Sequence, residues 1–581
     1  MADVNLKING VDVTAPEGST ILEAAHLANI YIPTLCFLKD INEAADCRMC
    51  VVEVKGARAL MAACVYPVSE GMEVWTNTDK VINARKKTLE LILSNHDQKC
   101  LSCIRSGNCE LQEMARDMGI EDSHYYEGEV SVYEKDESSI HMVRDNNKCI
   151  LCRRCVGACE NSQGIGVIGP NNRGFKAHIG CAFDLPLAET SCVHCGQCIV
   201  ACPVGALYEK DNTAEVEAAL ADPDKFVVVQ PAPAVRAALG EEFGYPIGTD
   251  VEGKMAAAAR RLGFDRVFDT DFAADLTIME EGHEFIDRVQ NGGVLPMFTS
   301  CSPGWIKFVE EYYPEMRENL STCKSPQNMF GAVTKSYLAE KLGKSPEEIF
   351  TVSIMPCTAK KFEVSREELE TNGVQDVDVS LTTREFARLI KKHGIDFASL
   401  EDEGFDHPLG ESTGAAVIFG ATGGVMEAAL RTAVEVLTGE ALPSVDFVEV
   451  RGMEGIKEAT YKVGDLEVNV AVVSGLANAR KVLDAIKAGE KNYHFVEFMC
   501  CPGGCINGGG QPIVSSKIKN FVDVRQLRAN VLYSNDAAKV IRKSHENPSI
   551  QKIYEEYFGE PGSHKAHMIL HTHYIKRDVV K

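Results

Sequence analysis

The sequence predicts a multidomain protein, with a small α+β domain in front, two cysteine-dense segments after it and a large α/β domain with largely parallel sheets behind. Three observations carry that prediction. The chain has 581 residues and is 45% hydrophobic, too long for a single core. Its cysteines are unevenly spread: sixteen of 22 lie before residue 203, and the other six are scattered between 301 and 505. From residue 225 onward, apolar β-rich runs (FVVVQPAP, VLPMFTSC, IFTVSIMPC, AAVIFGAT, VNVAVVSG) alternate with helical patterns such as GGVMEAALRTAVEVL and ANARKVLDAIKAG. That alternation predicts an α/β domain.

Residues 1–80 open with VNLKINGVDVTAP, two alternating strands joined at Asn9 and Gly10, and continue into the helix signal EGSTILEAAHLA. Cys36, Cys47, Cys50 and Cys64 give a long gap, a CxxC pair and a distant fourth cysteine. The arrangement resembles plant-type ferredoxins, although the first gap departs from their pattern. With the β-grasp-like strands before it, it favours a 2Fe-2S cluster over four buried structural thiols.

Residues 81–125 read as helices and turns. They hold His96, Cys100, Cys103 and Cys109 as HxxxCxxCxxxxxC, which lets one imidazole and three thiolates converge on a 4Fe-4S cubane. The same donors suit zinc; the neighbouring cluster motifs favour iron. A neutral histidine in place of a thiolate should raise the cluster potential.

Residues 140–210 contain an internal duplication of CxxCxxCxxxC: Cys149, Cys152, Cys155, Cys159, then Cys192, Cys195, Cys198, Cys202 followed by Pro203. In such runs three thiolates grip one cubane and the fourth reaches the other. Cluster one therefore takes Cys149, Cys152, Cys155 and Cys202, and cluster two takes Cys192, Cys195, Cys198 and Cys159. One 2Fe-2S and three 4Fe-4S clusters in succession would make an electron wire.

The net charge of −24 is spread along the chain with no basic stripe, which gives nucleic acid no footprint. The opening MADVNLKING lacks a basic region followed by an apolar one, and no apolar run approaches membrane-spanning length. The expectation is a cytoplasmic protein with no membrane partner. Thiols stay reduced there, so the dense cysteine set reads as metal-binding rather than as a disulfide framework.

In open α/β sheets, ligand sites lie beyond the carboxyl ends of strands. Cys301, Cys357 and the Cys501 region each follow an apolar run. Gly420 to Gly424, in IFGATGGVME, are expected to follow a strand and precede a helix. They lack GxGxxG, so no dinucleotide site is assigned.

The rear motifs TSCSPGW (299–305), MPCTAKKFE (355–363), GGVMEAALR (423–431) and CCPGGCINGGGQP (500–512) resemble the cysteine signatures and helix of the FeFe (iron-only) hydrogenase active-site domain, here expected over 222–575. The front half alone also resembles the large iron-sulfur subunit of respiratory complex I. Taken together, the hydrogenase resemblance covers essentially the whole chain. It implies an H-cluster, a 4Fe-4S cubane held by Cys357, Cys501 and Cys505, with Cys505 bridging to a di-iron centre that bears CO, CN and a bridging dithiolate amine. It places Lys360 as a donor to a cyanide ligand and Pro233, Gln327, Met355 and Met499 in the pocket wall. The glycines at 503, 504, 508, 509 and 510 suit close backbone approach to a buried cofactor.

The family's proton route maps onto Cys301, Glu281, Ser321, Glu284 and Arg288. Glu281 and Glu284 are three apart and would share a helix face, although this stretch alone reads equally as a solvated acidic turn. The family pattern is TSCCPGW, and Ser302 stands here at the second cysteine. Three readings stay open: Ser302 ligates or leaves a weak corner; Cys301 ligates and the proton donor is lost; or Cys500, where the family commonly has alanine, compensates. Cys301 is kept as proton donor. Cys181 and Cys323 fit no cluster and read as small core or surface residues.

The resemblance implies reversible reduction of protons to dihydrogen. The layout, ending SHKAHMILHTHY without a further cluster domain, is similar to NAD(P)-linked and electron-bifurcating hydrogenase subunits. That implies flavin- and NAD(P)-binding iron-sulfur subunits as partners, and maturation proteins for the di-iron centre. The alternatives are a stand-alone ferredoxin-dependent hydrogenase and a non-catalytic electron-transfer or iron-sulfur assembly protein with a hydrogenase-like fold, which Ser302 alone supports.

Overall fold

Alternation of apolar and polar residues at the front produces a hairpin of β1 (Asp3–Ile8) and β2 (Val11–Pro16), paired from Ile8 with Val11 to Asp3 with Pro16. Asn9 and Gly10 both take positive φ, 51° and 83°, as the two-residue turn requires. Leu6, Ile8, Val13 and Ala15 share the buried face and pack with the helix Ile21–Leu27, whose N-cap Thr20 forms a capping box with Glu23. β3 (Val51–Val54), β4 (Met61–Ala62) and β5 (Glu73–Trp75) complete a sheet of order β2-β1-β5-β3-β4, with β5 parallel to β1. This is the expected α+β domain. In this computed structural model residues 2–121, 128, 130–440, 442, 444–463 and 466–580 are described. Residues 122–125 of the expected 81–125 segment, and 441, 443, 464 and 465 of the expected 222–575 segment, lie outside the described residues.

The helix Asp79–Leu93 leads to a short turn at Cys100–Ser102 and the helix Glu110–Asp117. The duplicated cysteine runs sit among β6 (Met142–Arg144), the small hairpin β7 (Gly169–Asn171) and β8 (His178–Gly180), and β9 (Leu207–Glu209), which pairs antiparallel with β6.

Behind them β10 (Phe226–Pro231), β11 (Arg266–Val267), β12 (Met297–Phe298), β13 (Ile349–Met355), the short pair β14 (Glu370–Thr371) and β15 (Val374–Gln375), β16 (Val379–Thr382), β17 (Ile456–Val463), β18 (Leu466–Ser474) and β19 (Phe495–Met499) alternate with helices. They sort into two four-stranded sheets, β11-β10-β13-β16 and β12-β19-β18-β17. The first is wholly parallel, and the second is parallel except for the β17–β18 hairpin. Val227, Val228 and Val229 are all buried, the continuous burial of a strand covered on both faces. Among the described residues no helix is long and apolar enough to cross a membrane.

One expected strand is absent. AAVIFGAT forms a helix at Gly414–Val417 and a tight helical turn at Ile418–Gly420. Every residue from 414 to 421 is buried, and a short apolar run hidden on all sides carries no periodicity to separate strand from buried helix. It packs among the helices Thr270–Asn291, Gly424–Thr438 and Val524–Ala538. A Cβ on Gly424 would lie 1.8 Å from the Ile418 carbonyl oxygen, so that helix starts against the turn only because residue 424 is glycine. Gly420 to Gly424 therefore follow a helical turn, not a strand.

Buried ion pairs lock the front half onto the rear. Arg154 pairs with Glu110, which follows Cys109, at 3.1 Å, approaches the Cys36 carbonyl at 3.4 Å, and donates to Ser516 Oγ at 3.0 Å. On β9, Glu209 accepts from Arg384 and Arg388, which hold its carboxyl well below the usual range against the cost of burial. Arg384 also donates to the carbonyls of Gly509 and Gln511, so one guanidinium ties the cluster domain to the glycine loop of the rear half.

Candidate metal centres and active site

The four N-terminal cysteines meet at the edge of the first sheet. Cys50 and Cys64 Sγ are 3.3 Å apart, and Cys36 Sγ accepts from the Cys47 N–H at 3.4 Å. Asn42 Nδ2 donates to the carbonyls of Cys36 (2.9 Å) and Cys152 (3.1 Å), joining this loop to the first cysteine run.

His96, Cys100 and Cys109 line one cavity, with Cys103 beside Cys109. His96 Nδ1 is buried without a hydrogen-bond partner among the described residues, and burial lowers its pKa to about 4, which leaves a neutral imidazole with a lone pair for a metal. Gly205 admits Cys103: a Cβ there would lie 2.5 Å from its Sγ.

Cys149, Cys152, Cys155 and Cys202 line a second cavity and Cys159, Cys192, Cys195 and Cys198 a third. The structure thus gathers the third and fourth sets as the crossed duplication expects. Burial and neighbouring thiols raise the pKa of Cys149 to about 12 and of Cys159 to about 11. Four thiols converging on one cavity suit a metal centre, which replaces their protons and supplies positive charge among them.

The loops leaving β12, β13 and β19 at their carboxyl ends enclose a cavity of about 80 Å³. Cys301, Ser302, Cys357, Cys500, Cys501 and Cys505 all line it, together with Lys360. Pro233, Gln327, Met355 and Met499 form part of its wall. Cys195 also lines it, so the cluster-two loop is a wall of this site as well. The contact is close: Thr358 Oγ1 donates to the His194 carbonyl at 2.7 Å, and a Cβ on Gly196 would lie 2.3 Å from that same hydroxyl. A Cβ on Gly509 would lie 2.3 Å from the Cys195 carbonyl oxygen. Burial raises the pKa of Cys505 to about 12, and that of Cys357 higher still.

Lys360 Nζ donates to Glu363 Oε2 (2.7 Å), Ser325 Oγ (2.8 Å) and the Cys301 carbonyl (3.2 Å). Glu363 also accepts from Ser325 and Gln327. Glu363 gives no separate signal in the sequence, yet it aims Lys360.

Glu281 and Glu284 lie on the helix Thr270–Asn291, and Glu281 is 2% exposed. The solvated-turn reading therefore fails for this stretch. Burial, then the Glu284 charge, pushes Glu281 up to about 8, and its Oε1 has no hydrogen-bond partner among the described residues. Cys301 is raised first by burial and then by Glu281. Ser321 Oγ donates to Glu284 Oε2 at 2.9 Å and faces Glu281. Arg288 donates to Glu284 Oε1 at 2.6 Å and to the Leu320 carbonyl at 2.8 Å.

Three further residues join this network. Thr322 Oγ1 lies 3.2 Å from Glu284 Oε2 and 2.8 Å from His571 Nδ1, and His571 Nε2 lies 3.0 Å from Glu280 Oε2. Cys323 is fully buried beside Glu284 and His571, and Cys181 is fully buried beside Arg144.

Family models match in sequence along the chain: a 2Fe-2S iron-sulfur cluster binding domain at 1–79, the NADH-ubiquinone oxidoreductase-G iron-sulfur binding region at 85–124, a 4Fe-4S dicluster domain at 148–206, the C-terminal domain of the iron only hydrogenase large subunit at 225–509, and the iron hydrogenase small subunit at 522–577. The chain is 54% identical over 588 residues, 99% of its length and all of the relative, to the NADP-reducing hydrogenase subunit HndD of Solidesulfovibrio fructosivorans. It is 45% identical to iron hydrogenase 1 of Clostridium pasteurianum, across 98% of this chain and 99% of that one. A solved variant of the [FeFe]-hydrogenase HydA1 from Chlamydomonas reinhardtii superposes with a TM-score of 0.57 and 44% identity over 64% of this chain and all of that one. The chain belongs to the iron-only (FeFe) hydrogenase family and is a hydrogenase whose iron-sulfur relay domains precede its catalytic domain.

Proposed function

We propose that the chain interconverts protons and dihydrogen in the cavity between β12, β13 and β19, as the catalytic subunit of an NAD(P)-linked complex. The observation that carries this is one cavity lined by Cys301, Cys357, Lys360, Cys501 and Cys505 with cluster-two Cys195 in its wall. The relay comprises one 2Fe-2S cluster in residues 1–80, one 4Fe-4S cluster in 81–125 and two in 140–210. The H-cluster would lie within 222–575, where Cys357, Cys501 and Cys505 would hold its cubane. When bound, that cofactor supplies the open iron and basic amine at which protons and electrons combine.

The chain's own residues bring both reactants. Clusters held by the front cysteines would supply the electrons, and the Cys192–Cys198 loop, which abuts the glycine loop of the active site, would bring the last of them to the cavity wall. Protons move from Arg288 and Glu284 through Ser321 and Glu281 to the Cys301 thiol, each step between neighbouring titratable or hydroxyl groups. Glu284 has a second connection, through Thr322 and His571 to the buried Glu280. Lys360, aimed by Glu363, presents a cation to the cofactor's anionic ligands. The apolar wall of Pro233, Met355 and Met499 keeps water away from it.

Full-length similarity to a protein named as an NADP-reducing subunit supports flavin- and NAD(P)-binding partner subunits. Twenty-two unbridged cysteines suit the reducing cytoplasm. The test is expression with the maturation proteins. The isolated chain should evolve hydrogen from reduced viologen, and NADP should be reduced by hydrogen only when a flavoprotein co-purifies. A chain with full iron content that evolves no hydrogen would leave the iron-sulfur assembly reading standing.

A further inference from the structure

A cubane in this cavity needs a fourth protein ligand, and position 302 carries a serine. Ser302 immediately precedes the helix Pro303–Tyr312, and its Oγ accepts from the Cys500 backbone N–H at 3.2 Å. The main chain at 500 therefore lies directly against the side chain at 302, and the serine oxygen is already engaged. Cys500 is 5% exposed and lines the same cavity as Cys357, Cys501 and Cys505. Room has been made for its sulfur, because a Cβ on Gly304 would lie 2.7 Å from Cys500 Sγ. That sulfur lies against the thiols of Cys501 and Cys195, with Gln163 Oε1 at 3.9 Å.

Packing separates the two rival cysteines. Cys500 belongs to the core that contains Val193, Trp305 and Cys195, on the cluster-two side. Cys301 packs instead with Met297, Phe419 and Met499, towards the helix that carries Glu281. A thiolate at 500 therefore faces the electron relay, and the thiol at 301 faces the proton network. Serine oxygen is the poorer partner for iron.

We propose that Cys500 is the fourth cysteine ligand of the active-site cubane, in the position Ser302 does not fill, and that Cys301 stays free to carry protons. The proposal rests on the assignment of the cubane to this cavity. Ligation replaces the Cys500 thiol proton by iron and releases that proton to solvent, and no oxidation state changes.

The test uses the full chain made without maturation proteins, read by iron and labile sulfide per chain and by electron paramagnetic resonance of the reduced protein. Cys500→Ala should lose about four irons per chain, the content of one cubane, as Cys357→Ala should. Ser302→Ala should keep the full complement. Combining Cys357→Ala with Cys500→Ala should lose no more than either alone, because both remove the same cubane. A combined loss of about eight irons would place Cys500 on another cluster and overturn the proposal. Full iron in Cys500→Ala, or the same loss in Ser302→Ala, would overturn it too. Should Cys500→Ala fail to fold, Ser302→Cys with Cys500→Ala decides. Return of soluble protein with full iron supports the exchange, and a double variant that is insoluble or iron-poor contradicts it. If Cys357→Ala itself loses no iron, the placement of the cubane fails rather than the role of Cys500.

Discussion

Glu281→Gln is expected to cut hydrogen turnover on the order of 10²- to 10³-fold, within the range for loss of a positioned acid–base group, while leaving iron content unchanged. The residue is fully buried between Cys301 and Ser321, and burial with the Glu284 charge raises its pKa to about 8. At neutral pH it is protonated and can pass its proton on while receiving another, which an amide cannot do. Hydrogen evolution by the wild-type chain should therefore fall as pH rises through about 8, and the residual activity of the variant should lose that step. Stability supplies an independent readout. The folded pKa lies above the ordinary 4.5, so the contribution of Glu281 is fully present below about pH 4.5 and is lost as pH rises through about 8. Glu281→Gln should thus become relatively more stable than wild type in alkaline solution, shown by denaturant unfolding at acid and alkaline pH. Equal turnover in variant and wild type would remove Glu281 from the route.

Lys360→Met is expected to abolish hydrogen evolution and to destabilise the chain by about 3 kcal/mol, the usual cost of removing one partner from a buried ion pair. Lys360 and Glu363 are 2.7 Å apart and both nearly buried, and the lost ammonium would leave the carboxylate with Ser325 and Gln327 alone. Adding Glu363→Gln removes the stranded charge. The double variant should recover most of the stability and none of the activity, measured by denaturant unfolding beside hydrogen evolution. Recovery of both would make the pair purely structural.

Much of the front half was legible because cysteine spacing is a local property. The two CxxCxxCxxxC runs predict which thiols converge, and the structure gathers those sets around separate cavities. The opening hairpin was legible for the same reason, since Asn9 and Gly10 state their turn in two residues. The rear half was legible as alternation, and the wholly parallel sheet follows from runs such as FVVVQP. The run at 414–420 was not, because complete burial erases the periodicity that separates helix from strand. Long-range contacts were invisible too. Ser302 and Cys500 meet across 198 residues, and Glu280 and His571 across 291, so no spacing unites them. The sequence posed the question of the missing cubane cysteine, and packing on opposite sides of the cavity separates Cys301 from Cys500.

We place an H-cluster among the rear cysteines, at the end of an iron-sulfur relay. Infrared spectroscopy of the full chain, purified after co-expression with the maturation proteins, addresses this placement directly. Bands of metal-bound CO and CN should appear and should be lost in Cys505→Ala. Matured wild-type protein with all its front clusters but without those bands would show that the rear cysteines hold no H-cluster.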